Sequence, residues 1–348
     1  MRWLFILLIP AFVWRAADAP LNPEQDRMTL QQAAPFPIGV AVDVKLLMTD
    51  SAYRHTVNQE FSSLTSENAL KMNRLLVAPN QYNWTGGDAL VDFARQTNKR
   101  MHGHTLVWHV AVPNWVQTFQ GDSLAWENLL KSHIQTVIRH YKGRVKSWDV
   151  VNEAFEADGS LRKTIWLEHL GSDYVARCYQ YAHEADPDVL LFYNDFSLDI
   201  KPLKAAAVKA MVMEFKRRGI PINGIGLQAH ISIYNSDSKF RDCLDDMAST
   251  GLQIHISELD IRLNAKKIKD FIVSDVLLQQ QQQKYAAIVR AYKSAVPKKQ
   301  QYGITIWSVG DNDSYLVNDC KCPDAPLLFD TGYKKKLAYK GLMGALRQ

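Results

Sequence analysis

The sequence predicts a single (β/α)8 barrel, and three observations predict it. Eight short apolar runs recur along 348 residues. Segments with helical spacing lie between them. Seven of the runs carry polar side chains at their C-terminal ends, where a barrel of this kind builds its active site. Strands that alternate with helices pair in parallel through crossover connections, and eight such units close into a barrel. The composition, 47% hydrophobic and 22% charged, is that of an ordinary globular chain. No Pro/Gly/Ser-rich linker divides it, so one catalytic domain over 20–348 is expected.

Each run reads as follows. Phe36–Asp43 is the first strand. It lacks the glycine-rich phosphate turn that an open doubly wound sheet usually carries there. Ser62–Ser66 leads to Glu67 and Asn68; Met101–His109 holds His104 and Trp108; Val145–Glu153 ends on Asn152 and Glu153. Leu190–Asp195 ends on Asn194 and Asp195, and Gly224–His230 holds Gln228 and His230. Gln253–Asp260 holds Glu258 and Asp260, and Gly303–Val309 holds Trp307, with Asp311 beyond it. Polar groups at one end of so many apolar runs are costly unless they face a cleft. Among the helices, Leu124–Tyr141 sets Leu124, Leu129, Ile134, Val137, Ile138 and Tyr141 on one face; Leu203–Arg218 and Leu277–Lys293 behave likewise. The run Gln279–Gln283 reads as one turn of an exposed helix face.

Residues 1–19 stand apart. Arg2 precedes the apolar run Trp3 to Trp14, and Ala17-Asp18-Ala19 has the form of a signal-peptidase site. A secreted protein, extracellular or periplasmic, is therefore expected. The apolar run is too short to anchor the mature protein in a bilayer. Cleavage removes Arg2, Arg15 and Asp18 and moves the formal net charge from +5 to +4. So mild an excess, without a basic stripe, argues against nucleic acid as a partner. Cys320-Lys321-Cys322 is spaced too tightly for a relaxed bridge, which leaves either cysteine to pair elsewhere. The pairing of Cys178, Cys243, Cys320 and Cys322 stays open. Zinc-type spacing is absent from the cysteines and histidines, and no metal or cofactor is expected.

Glu153 and Glu258 are the candidate catalytic pair. Each is the first acidic side chain after buried-looking residues. Hydrolysis of a glycosidic bond needs two carboxyls so placed: one gives a proton to the leaving oxygen, the other attacks or stabilises the sugar cation.

Six motifs then carry a family resemblance: Phe61–Lys71 (FSSLTSENALK), Gly103–His109 (GHTLVWH), Trp148–Glu153 (WDVVNE), Gly224–His230 (GIGLQAH), His255–Asp260 (HISELD) and Pro326–Asp330 (PLLFD). In this order, from about Phe36 to Ala345, the chain resembles glycoside hydrolase family 10, the endo-β-1,4-xylanases. The resemblance implies a retaining enzyme with Glu153 as acid/base and Glu258 as nucleophile. It implies that His230 and Asp260 orient the nucleophile and that Asn152 bonds the 2-hydroxyl of the sugar being cleaved, with Gln228 beside them. By the same resemblance His104, Trp108 and Trp307 would enclose that sugar, and Glu67, Asn68 and Lys71 would bind the next one outward. Xylan or a xylo-oligosaccharide is the implied partner, with the enzyme working as a monomer and the barrel using up the chain without an appended binding module.

The sequence departs from the family at Ala111, where Gln is usual, and at Tyr315, where Trp is usual. Both substitutions are to smaller residues, and they suggest a roomier site that tolerates glucose-type substrates. Endo-β-1,4-glucanase or dual activity is the alternative reading. A barrel that binds carbohydrate but has lost catalysis fits less well, because both carboxyls and their partners are present.

Overall fold

A run such as Ile38–Val42 offers water no polar face, so it must be covered on both sides. In the computed structural model, which describes residues 28–348, that strand is wholly buried in the wall of a closed parallel barrel. The predicted signal peptide lies outside the described residues. The strands are β1 (Ile38–Val42), β2 (Ser63–Ser66), the hairpin β3 (Leu76–Ala78) and β4 (Gln81–Tyr82), β5 (Arg100–Gly103), β6 (Val107–Trp108), β7 (Ser147–Asn152), β8 (Leu190–Asp195), β9 (Gly224–Leu227), β10 (His230–Ser232), β11 (Gln253–Arg262) and β12 (Gln301–Ile306). The hairpin stands off the barrel. Closure is by β1 on β12, with Ile38 opposite Ile304 and Val40 opposite Ile306. The eight predicted runs match the eight barrel positions, but the third and sixth are broken, as β5/β6 and β9/β10. Each break falls where a site side chain, His104 or Gln228, leaves the ladder.

Helices Ser123–Tyr141, Pro202–Arg218 and Asp275–Ala295 match the predicted periodic segments closely. Asp122 caps the first, accepting from the Ala125 amide at 2.9 Å, a contact worth about 1 kcal/mol. Leu124, placed by its spacing on the apolar face, is instead exposed, because the buried stripe of this helix starts at Trp126 and runs on through Leu130 and Ile134. Gln281 corrects the reading of its glutamine run as exposed. It is fully buried and donates to the Ile261 and Ala325 carbonyls at 2.8 and 2.6 Å, tying its helix to the end of β11.

The barrel's lower interior is polar and is held by several buried hydrogen bonds. The Arg100 guanidinium lies 3.8 Å from the centroid of Tyr302 and donates to Ser63 Oγ at 3.0 Å. His102 Nδ1 meets Ser147 Oγ at 2.6 Å, and His255 Nε2 meets Thr305 Oγ1 at 2.8 Å. Gly103 leaves the space that the Trp148 ring fills; a Cβ there would stand 2.2 Å from it. Strict alternation points His255 away from the face used by Glu258. The structure overturns that: β11 shifts register between Ile256 and Leu259, so both side chains point inward, His255 one layer below.

The structure also fills in the cysteine pairing that the sequence left open. Cys320 and Cys322 are bonded to each other. Lys321 takes a left-handed φ of 49°, which folds the chain back and sets the two Cα atoms 5.1 Å apart, within the usual disulfide range. Cys178 and Cys243 are buried free thiols.

Candidate active site

The C-terminal ends of the strands open into a cleft of about 720 Å³. Glu67, Asn68, Lys71, His104, Trp108, Asn152, Glu153, Gln228, His230, Glu258, Trp307 and Tyr315 all line it. Asp260 lies behind His230, fully buried.

Glu153 follows β7 in a left-handed turn, φ 58°. Such a turn costs a non-glycine residue roughly 1–3 kcal/mol and persists only where neighbours pin it. Here its amide donates to the Asn194 carbonyl at 2.9 Å and its carbonyl accepts from Arg162 Nε at 3.1 Å. The next amide, of Ala154, donates to Tyr193 Oη at 2.9 Å. Tyr193 in turn donates to Asp195 at 2.6 Å, and Asp195 is paired with Lys204 at 2.5 Å. Both ends of that ion pair are buried. Burial pushes the Asp195 carboxyl up to about 6, against the pull of Lys204. The Glu153 side chain accepts from Trp108 Nε1 at 3.0 Å, Gln228 Nε2 at 2.9 Å and Asn152 Nδ2 at 3.2 Å.

Glu258 has a different set of partners. Asn194 Nδ2 donates to its Oε1 at 2.7 Å and His230 Nε2 to its Oε2 at 3.1 Å. His230 also donates from Nδ1 to Asp260 at 2.6 Å. Burial lowers the imidazole, but the two carboxylates outweigh it and lift His230 to about 10, so it is a cation at neutral pH. Burial likewise pushes Glu258 up. The His230 bond, the nearby imidazoles and the Asn194 amide outweigh that, and the carboxyl is held below its ordinary value. Asn194 Nδ2 and Gln228 Nε2 both donate to Asn152 Oδ1, at 3.0 and 3.3 Å. One amide bridge thus links the two carboxyls. Gly226 makes room for it: a Cβ there would stand 2.2 Å from Asn194 Oδ1.

Beneath the cleft, His104 Nδ1 bonds Asp149 at 2.9 Å. Burial would raise Asp149, but His102 and His104 outweigh it and hold the carboxyl well below the usual range. Trp307 packs edge-on against His104, and Tyr315 against His230, at centroid distances of 5.3 and 5.4 Å. Outward, Lys71 donates to Asn68 at 3.1 Å and sits over the Trp108 ring. Burial, with the negative charge of Asp43, lifts Glu67 to about 7. Indole faces with flanking polar groups suit a pyranose, which has apolar faces and a hydroxylated rim.

Sequence reasoning singled out Asn194 without giving it the bridging role, and missed Arg262, Phe196 and Asn235, which also line the cleft. Arg262 was legible: it continues the alternation of Glu258 and Asp260 along β11. Ala111, expected to look onto the sugar, is buried and absent from the cleft lining. The roomier-site argument therefore rests on Tyr315 alone.

The glycosyl hydrolase family 10 model matches residues 27–345. Endo-1,4-beta-xylanase A of Cellvibrio japonicus is 35% identical over 347 residues, 91% of this chain and 56% of its own length. Exoglucanase XynX of Acetivibrio thermocellus is 34% identical, over 92% of this chain and 31% of its own length. The chain thus spans about a third to a half of the length of these curated relatives. Among solved structures, native xylanase10C from Cellvibrio japonicus superposes with a TM-score of 0.87 at 33% identity, over 93% of this chain and 73% of that one. An intracellular xylanase mutant from Thermoanaerobacterium saccharolyticum, in complex with xylotetraose, gives 0.84 at 33% identity, over 91% and 99%.

Proposed function

Because this chain belongs to glycosyl hydrolase family 10, we propose that it is an endo-β-1,4-xylanase that cleaves with retention of configuration. One observation carries the reading. Glu258, held ionised by His230 and Asn194, faces a second carboxyl, Glu153, across the amide bridge of Asn152, Asn194 and Gln228. In retaining enzymes the carboxyls stand roughly 5–5.5 Å apart, against roughly 6.5–9.5 Å in inverting ones.

In the first step a Glu258 oxygen bonds to the anomeric carbon as the glycosidic bond breaks, and Glu153 gives its proton to the leaving oxygen. In the second, Glu153 takes a proton from water, whose oxygen displaces Glu258. The amide of Asn152 bonds Glu153 directly and reaches Glu258 through Asn194, where the 2-hydroxyl of the reacting sugar would lie. Residues 1–19 support secretion, and a cleft whose catalytic groups come from one chain supports action as a monomer.

The test is reducing-sugar release from xylan and from soluble cellulose, by the protein and its Glu258→Ala variant, with the product anomer followed by proton NMR. The reading expects xylan cleavage, first product in the β-anomer, and loss in the variant. Release of the α-anomer first refutes retention; no xylan cleavage by the folded protein refutes the function. Tyr315 favours a second reading, dual xylan and glucan activity, which comparable release from cellulose would establish.

A further inference from the structure

A second cavity, of about 330 Å³, lies away from the catalytic cleft. It is reached along the two segments that leave the cleft after Lys71 and after Trp108. These run side by side: the Asn73 amide donates to the Ala111 carbonyl at 3.0 Å, and Trp115 Nε1 to the Leu76 carbonyl at 3.1 Å. The groove forms beyond that contact, between the β3–β4 hairpin and helix Ser123–Tyr141. Tyr82, Trp115 and Phe119 wall it, each partly exposed. The exposed side chains of Asn80, Asn128 and Ser132 rim it, and no Asp, Glu, Lys or Arg lines it.

His133 forms part of the lining, and it is 1% exposed. Its Nε2 lies 3.2 Å from the Leu106 carbonyl, which only accepts, so Nε2 carries the proton. Burial lowers the ring to about 4, so it is neutral near pH 7. Nδ1 is then a bare acceptor, buried and without a partner. The Tyr82 ring lies nearly parallel to His133, at 13° and 6.0 Å between centroids.

We propose that this groove is an auxiliary saccharide site, which takes a neutral segment of the same xylan-type chain that the cleft cuts. Its walls suit the apolar faces of a pyranose. Its rim offers amides and a hydroxyl to sugar hydroxyls. The absence of charge matches an unsubstituted neutral polysaccharide and disfavours an anionic partner or a basic peptide. The volume is at the small end for ligand pockets, which fits a short stretch of chain. The site and the cleft share the two segments that shape both, so a polymer held here stays beside the catalytic end of the barrel. The choice of sugar rests on the proposed function.

The test uses the full-length chain carrying Glu258→Ala, so that substrate is bound and not consumed. Titration with xylohexaose by calorimetry is expected to show two sites per chain. Adding Ser132→Trp, an exposed helix position on the groove rim, is expected to leave one, with the circular dichroism unchanged. One site before the block, or two sites after it, overturns the proposal while leaving the cleft's function standing. No binding at either place overturns both.

Discussion

Replacing Lys204 by Met tests how the turn at Glu153 is supported. Met retains most of the aliphatic stem and its packing, but it removes the charge 2.5 Å from Asp195 and 3.6 Å from the centroid of the Phe196 ring. Loss of one partner from a buried pair costs about 3–5 kcal/mol when the other charge must stay. Here the other charge has an escape, because the Asp195 carboxyl already stands at about 6 against an ordinary 3.8. A carboxyl raised in the folded state opposes folding as pH rises through that interval, by about 3 kcal/mol for two units. Without Lys204 the folded value climbs further, and the opposition extends to higher pH. The variant is therefore expected to lose about 3–5 kcal/mol at pH 8 and less than half of that at pH 5, where Asp195 is protonated in both proteins. Urea unfolding at the two pH values, followed by tryptophan fluorescence, measures the difference. An equal loss at both pH values, or none at either, refutes the account of a charged buried support.

Three further outcomes follow from the geometry. Gly226→Ala drives a Cβ against Asn194 Oδ1; steady-state kinetics on xylan should show kcat down at least about tenfold with KM little changed, because the displaced amide serves Glu258. His230→Gln removes the cation that holds Glu258 ionised, so the acid limb of the kcat/KM profile should move up by about one pH unit or more, and an unmoved limb contradicts this. Glu67 stands at about 7, raised from an ordinary 4.5, so it opposes folding as pH rises between those values. Glu67→Gln should gain up to about 3 kcal/mol over the parent at pH 8 relative to pH 4, less where water reaches the carboxyl, as thermal melts at both pH values would show.

Much of this was legible in the residues, because a parallel strand buried on both faces has nowhere to hide its composition. The eight apolar runs fell at the eight barrel positions, and polar side chains at their ends marked the cleft. What escaped depends on contacts between distant segments. The β3–β4 hairpin is made of strands too short to show a period, although Pro79-Asn80 signals its turn. Gln281 looked like surface because its run is polar; only the carbonyls of Ile261 and Ala325 explain its burial. His255 was given the wrong direction because alternation assumes an unbroken ladder, and Ala111 the wrong surroundings because a motif gives order along the chain and not depth. Asn194 had no visible role until Asn152, Ser257 and Glu258 were brought around it.

The shifted register in β11 bears on how this barrel can be recombined. Between Ile256 and Leu259 the strand holds residues that the neighbouring strand does not match one for one. The preceding run has a shift of its own, between Ile254 and His255, so a chimera that replaces Gln253–Ile256 with a regularly paired strand removes it and changes the register in which Glu258 arrives. A graft whose junction falls inside 256–259 breaks the second shift in the same way. Crossover points for recombining this chain with its relatives therefore belong before Gln253 or after Arg262, with the strand inherited whole.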